Sequence, residues 1–271
     1  DFPPCQIEIV LGVKGRLFVV LPTGVETKLP FAINGPFIQD PTRYKIKSVA
    51  SSATNRWLLE RAGRLASEVL ACWLQAPSLS LTDRARAYDI MPDVDQSDTS
   101  LEGACAKIVE DAFEEDIEEK EIALTEGGKC VVSNEAIIIP RAIFDAWPQE
   151  QAISFFDEQK RQPLAHAISR ANLEKIINWN VAEEINSESI LGVLEKRHLP
   201  QPESWRQLQS LWGFVAGAVQ DYRYYGDADS IGIVPVQGKN VLYPASEVVR
   251  LGEQRIVPAE EDWKFLGDHL S

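Results

Sequence analysis

The sequence predicts an α+β fold: an N-terminal α/β unit to about residue 80, then a larger mixed part, residues 81–271, that is mainly helical. Three observations carry this. Apolar, β-branched runs dominate residues 6–37, a stretch of 3.6-residue periodicity follows at 54–74, and proline-broken helical patterns fill most of the remainder. With 271 residues, 45% of them hydrophobic and 25% charged, the chain can bury a sizeable core and has the balance of a globular protein.

Residues 6–13 (QIEIVLGV) and 16–21 (RLFVVL) read as two strands joined by a tight turn at Lys14-Gly15. Residues 29–37 (LPFAINGPF) hold too much Pro and Gly for a helix and read as a buried extended stretch ending in a loop. Over residues 54–74, Leu58, Ala62, Leu65, Ala66, Val69, Leu70 and Trp73 fall on one helical face. Ser52 or Thr54 can cap that helix, and Glu60 and Arg64 can pair on its outer side. Pro77 ends it, and the Ser-, Asp-, Thr- and Pro-rich residues 76–100 read as a connection, which puts the break between the two parts near residue 80.

Residues 101–120 read as an acidic amphipathic helix with Leu101, Ala104, Cys105, Ile108, Ala112 and Phe113 inside. Two β-type runs around Glu126-Gly127-Gly128, within residues 122–139, give a hairpin signal. Short helices separated at Pro148, Pro163, Pro200 and Pro202 follow, with one strong helix over 203–219 whose inner stripe is Trp205, Leu208, Leu211, Trp212, Val215 and Val219. Gly213 and Gly217 on it suggest close packing in a core. Short strands at 231–236 and 240–243 and a closing helix over about 260–270 complete the pattern.

A net charge of −14 weighs against a whole-surface DNA or anionic-membrane binder. No run approaches the apolar length of a membrane span. Cys5, Cys72, Cys105 and Cys130 lie far apart with no CxxC pair, so neither a zinc site nor a disulfide framework is suggested and a cytoplasmic location is expected. The start Asp1-Phe2-Pro3-Pro4, with no initiator Met and a strand signal close behind, suggests a segment of a longer protein whose missing part holds chemistry.

The chain has no GxxxxGK[ST] loop, no strand-linked GxGxxG, no GxSxG and no HExxH, so the common nucleotide, hydrolase and zinc-protease readings lack support. His166, His198 and His269 have no partners at ligand spacing. Asp93, Asp95, Ser97 and Asp98 resemble a calcium loop only superficially: Asp98 stands at the glycine position and Ala104 at that of the bidentate glutamate. The cluster Glu110, Asp111, Glu114, Glu115, Asp116, Glu118, Glu119 and Glu121 reads first as a solvated helix face.

The opposite anomaly is sharper. Residues 1–75 hold nine Lys or Arg against six Asp or Glu, and within 41–64 Arg43, Lys45, Lys47, Arg56, Arg61 and Arg64 face Glu60 alone. Placed after a Gly-Pro-Phe loop and before a helix, Arg43 can offer a planar fork of donors to a polyphosphate. The plain alternative is that these cations solubilise a loop and pair with acids of the second part.

The string LPFAINGPF, with Arg43 six residues on, resembles a segment of sacsin-like proteins that lies directly downstream of an ATP-binding domain of the ninety-kilodalton heat-shock chaperone (GHKL) type. Leu21-Pro22 and the run Thr54-Asn55-Arg56-Trp57-Leu58-Leu59 are similar to the same family, and the resemblance covers about residues 16–75. It implies that residues 1–80 form a middle-domain unit like the second domain of GHKL ATPases, of ribosomal-protein-S-five-like fold. It implies further that Arg43 contacts the γ-phosphate of ATP held in the upstream domain, with Thr42, Lys45 and Lys47 beside it and Asn34, Gly35 and Phe37 shaping the loop. Lys47 stands where the family has a glutamine and Tyr44 where it has a glutamate, so the loop departs from the pattern at both.

Nothing here resembles the asparagine-bearing helix or the DxGxG loop of such enzymes, so ATP and Mg belong to the upstream domain and the segment alone is expected to hydrolyse nothing. The partners so implied are that domain, protein clients, and a second copy of the parent in a homodimer. Two other readings stay open: a non-catalytic interaction module working through the acidic helix, and a segment of a nucleic-acid-processing GHKL ATPase, against which the acidic balance weighs.

Overall fold

In the computed structural model, residues 6–221, 228–236 and 238–248 are described. Secondary structure is mixed α+β, as expected. Four strands come first: β1 (Glu8–Leu11), β2 (Leu17–Val19), β3 (Leu21–Pro22) and β4 (Phe31–Asn34). They form one sheet in the order β1-β4-β2-β3, antiparallel at β1/β4 and β2/β3 and parallel at β2/β4.

This order corrects the expected hairpin between the first two strands. β4 carries the buried Phe31, Ala32 and Ile33, and burial drives this most apolar strand into the gap between β1 and β2. Gly15 is still needed, for another reason: a Cβ there would strike the backbone carbonyls of Thr27 and Leu29.

Helix α1 (Ala53–Leu74) follows, closed by Ser52, whose hydroxyl accepts from the Asn55 N–H at 3.3 Å. Of the face expected inside, Leu58, Ala62, Ala66 and Leu70 are buried, whereas Leu65, Val69 and Trp73 are only partly buried and Leu59 and Leu74 are buried in addition, so the inner stripe is rotated from the expected one. Glu60 lies 4.0 Å from Arg56 instead of pairing with Arg64. Helix α2 (Leu81–Ala85) and a 3₁₀ turn (Arg86–Ile90) lead to α3 (Leu101–Ile117), which packs along α1. Gly63 allows that approach, because a Cβ would meet the Val109 carbonyl.

The predicted hairpin forms as β5 (Ala123–Leu124) and β6 (Cys130–Val131), with Gly128 at φ 75 in its turn. Then come β7 (Ala136–Ile138), α4 (Arg141–Ala146), α5 (Gln149–Phe156), β8 (Gln162–Pro163), α6 (Arg170–Asn178), β9 (Glu183–Glu184), α7 (Ser187–Lys196), α8 (Trp205–Asp221), β10 (Gly232–Pro235) and β11 (Leu242–Pro244).

Two compact units result. One takes the described residues up to 136 together with 164–183; the other takes 137–163 and the described residues from 184 on. The break expected near residue 80 therefore falls inside the first unit. Tyr88 shows why: it is fully buried, its hydroxyl donates to the Ile122 carbonyl at 2.6 Å and accepts from the Leu124 N–H at 2.9 Å, so the 81–91 segment is core. Segment 164–183 rejoins this unit through Asn172, whose amide donates to Asp89 at 2.8 Å, and Trp179, edge-on to Phe113.

The second unit is a helical cluster around Trp147, whose indole N–H donates to the Pro200 carbonyl at 2.7 Å. Leu208, Leu211 and Val215 of α8 are buried there, as their stripe predicts. A Cβ at Gly213 or Gly217 would meet nothing within 4 Å among the described residues, so the expected close packing at that pair is not found. Strands β10 and β11 lie close to the two short strands expected there, and they pair antiparallel. The helix expected over 260–270 lies outside the described residues, and among those no helix is long and apolar enough to cross a membrane.

Candidate functional site

The buried strand β4 ends in Asn34, whose amide donates to Glu8 at 3.0 Å and whose carbonyl accepts from the Val20 N–H at 3.3 Å. Phe37 is buried and the Gly35 N–H donates to the Phe18 carbonyl, which fixes the chain where it leaves β4. The chain then makes a narrow excursion over residues 38–47. Its legs meet through the Gln39–Ile46 bridge, the Asp40 N–H bond to the Lys45 carbonyl (3.0 Å) and the Lys47 N–H bond to the Ile38 carbonyl (2.8 Å).

At the apex, the Asp40 carboxylate accepts from the Thr42 hydroxyl at 2.8 Å and from the Lys45 N–H at 3.4 Å, and the Thr42 oxygen accepts from the Tyr44 N–H at 3.2 Å. The Thr42 hydroxyl, followed by the backbone N–H groups of Lys45, Arg43 and Thr42, holds the Asp40 pKa below the ordinary carboxylate range. Arg43 is fixed by its backbone alone: its N–H donates to the Asp40 carbonyl, its carbonyl accepts from the Gln39 amide, and its φ is 60. That left-handed conformation costs a non-glycine residue about 1–3 kcal/mol and persists only where the surroundings impose it.

Besides the Lys45–Glu102 ion pair to α3, two hydrogen-bonded anchors hold the loop. At its base, Asn55, 0% exposed in the first turn of α1, accepts from the Ile38 N–H at 2.7 Å and donates to the carbonyls of Ile38 and Lys47, both at 2.9 Å. At its tip, the Tyr44 carbonyl accepts from the Gly24 N–H at 2.6 Å, and the Tyr44 ring lies where a Cβ on Gly24 would be. The sequence shows Asn55 only as one residue of the family-like run 54–59 and assigns it no role. The available signal was a carboxamide one turn before Leu58 and Leu59, on the buried stripe of the helix.

The four expected phosphate-facing residues differ in what they have free. The Lys45 ammonium is 2.7 Å from Glu102, which raises its pKa, and the Thr42 hydroxyl is taken by Asp40. Arg43 and Lys47 are exposed and have no acidic partner among the described residues. Apolar side chains also stand out in this part of the chain, with Ile38, Tyr44 (66% exposed) and Trp57 prominent. A groove of 460 Å³ lies on the sheet, lined by Val10, Val13, Phe18, Val20 and Ala32 within a charged rim that includes Arg16 and Glu26. Val20 is 89% exposed at φ 63, a strained place for a β-branched residue.

Other groups singled out in the sequence have local explanations. Glu110 is buried, correcting the reading of the acidic run as wholly solvated: it accepts from the Val94 N–H at 3.1 Å and from Gln96 at 2.6 Å, and burial raises its pKa. Ser67, Asp116 and Lys120 form a closed trio, with Ser67 at 0% exposure, so it offers solvent no nucleophile. Asp95 and Asp98 turn to Ser97 and Ser100, and no group of three metal-ligating side chains occurs among the described residues. His166 sits against Glu126, His198 against Tyr243 and Glu247, and His269 lies outside the described residues.

What the site does has therefore to be argued from Arg43, its loop and its anchors, because no family model matches the chain and no curated protein or solved structure is similar to it.

Proposed function

We propose that the chain is the middle region of a cytoplasmic, sacsin-like ATPase of the heat-shock-chaperone (GHKL) type, and that Arg43 completes the ATP site of an upstream domain. On this reading the N-terminal unit is the counterpart of the second domain of GHKL ATPases, and Mg and ATP are held upstream. A guanidinium brought to the γ-phosphate stabilises the charge that spreads over its oxygens during transfer. ATP state is thereby coupled to the contact between domains, and through it to protein partners.

One observation carries the reading: a loop braced at base and tip holds Arg43 by two backbone hydrogen bonds and leaves its side chain exposed, with the nearest acid in sequence already occupied. Lys47 can add charge beside it, whereas Lys45 is committed to Glu102. The open apolar groove on the sheet favours a second reading, a protein interaction module that takes no part in hydrolysis.

Steady-state ATP hydrolysis by the full-length product decides between them. Arg43→Ala is expected to lower kcat by about 10²-fold or more with an unchanged fold. Turnover equal to that of the unsubstituted protein contradicts the proposal and leaves the interaction module.

A further inference from the structure

We propose that Asn55 is the positioning residue of this site, tying both legs of the Arg43 loop to α1 so that the guanidinium stands where the helix places it. The proposal deepens the reading above and rests on it. A carboxamide has one acceptor oxygen and two donor hydrogens in a plane, and Asn55 uses all of them: the Ile38 N–H enters at 2.7 Å, and its own amide reaches the Ile38 and Lys47 carbonyls at 2.9 Å. These are the loop's entry and exit residues. The side chain is wholly buried, so neither water nor a longer residue can substitute for it without rearrangement.

The second anchor, the Gly24 N–H on the Tyr44 carbonyl, belongs to the sheet side of the loop. Arg43 thus lies between a helix-borne and a sheet-borne attachment, and releasing the first lets the loop swing about the second. A displacement of α1 is passed to both legs of the loop through the Asn55 side chain, while the Lys45–Glu102 ion pair ties the same loop to α3.

Asn55→Asp tests this with little change of shape. The introduced carboxylate still accepts from Ile38, but it confronts two carbonyl oxygens with no donor; protonation restores one donor. In the 271-residue chain, hydrogen-exchange protection at the amides of Lys45 and Lys47 is expected to fall about tenfold or more at pH 8 and to recover in part at pH 5. The unsubstituted chain should hold the same protection at both. In the full-length product the same variant should lower kcat for ATP with KM unchanged, and turnover relative to the unsubstituted protein should rise toward pH 5.

Should Asn55→Asp fail to fold, Asn55→Ser keeps one donor and one acceptor and is expected to give a smaller loss of the same kind. Unchanged loop protection at both pH values overturns the proposal. So does a loosened loop with unchanged kcat when Arg43→Ala abolishes turnover, in which case the phosphate role of Arg43 survives. Unchanged turnover in Arg43→Ala removes that role, and the positioning claim with it.

Discussion

Arg43 and Arg161 sit in loops of similar tightness and have opposite surroundings. Arg161 follows Lys160, which is itself at φ 56, and its guanidinium meets Asp157 at 3.0 Å, the two side chains being 15% and 3% exposed. The same carboxylate accepts the Arg161 N–H at 2.6 Å, so one acid holds both main chain and side chain. Arg43 also has an aspartate close behind it, but the Asp40 carboxylate is filled by the Thr42 hydroxyl and the Lys45 N–H. One intervening hydroxyl separates an arginine that closes a loop on itself from one that the loop presents outward.

The contrast can be broken in several ways, beginning with the largest effect. Asp157→Ala removes the buried carboxylate that holds both the main-chain N–H and the guanidinium of Arg161 and should destabilise the second unit by about 3–5 kcal/mol in urea unfolding. Arg43→Ala should stay within about 0.5 kcal/mol, as for a surface position. A similar cost at both sites would make Arg43 a structural residue.

Gly24→Ala should drive the Tyr44 ring off its seat, cost the first unit about 1–3 kcal/mol and speed tryptic cleavage after Arg43. Cleavage after Arg161 should not change.

Smaller effects come from pH. Burial raises the folded-state pKa of Glu110, so its share of stability is present below the ordinary glutamate range and is lost as pH rises through the raised value. Glu110→Gln should remove that decline from a pH series of unfolding midpoints. Asp40 has the opposite sign: its depressed pKa makes its contribution present above the ordinary aspartate range and lost as pH falls through the lowered value. Protonating it frees Thr42, and amide exchange at Tyr44 and Lys45 should lose protection there, with no such change in Asp40→Asn.

Periodicity made the helices α1, α3 and α8 and the two closing strands legible in the sequence as elements, although in α1 and α3 only part of the expected stripe is buried. The strand order was not, because adjacency in sequence favours a hairpin and only the competition for burial puts β4 between β1 and β2. Strands of two or three residues such as β7, β8 and β9 carry no period to read. At the site, the cationic strip and Arg43 were visible as charge in an acidic chain. Which cation is left open was not, because that turns on Glu102 reaching Lys45 from 57 residues away and on Asp40 choosing Thr42. The role of Asn55 was the least legible, because it lies in two backbone segments that only folding brings to the side chain.

The most direct test follows tryptic cleavage after Arg43 in the full-length product, with and without Mg and a non-hydrolysable ATP analogue. If the guanidinium is seated on a γ-phosphate, the nucleotide should slow cleavage at that bond while leaving cleavage after Arg56 unchanged. Equal rates at Arg43 in both conditions would contradict the account.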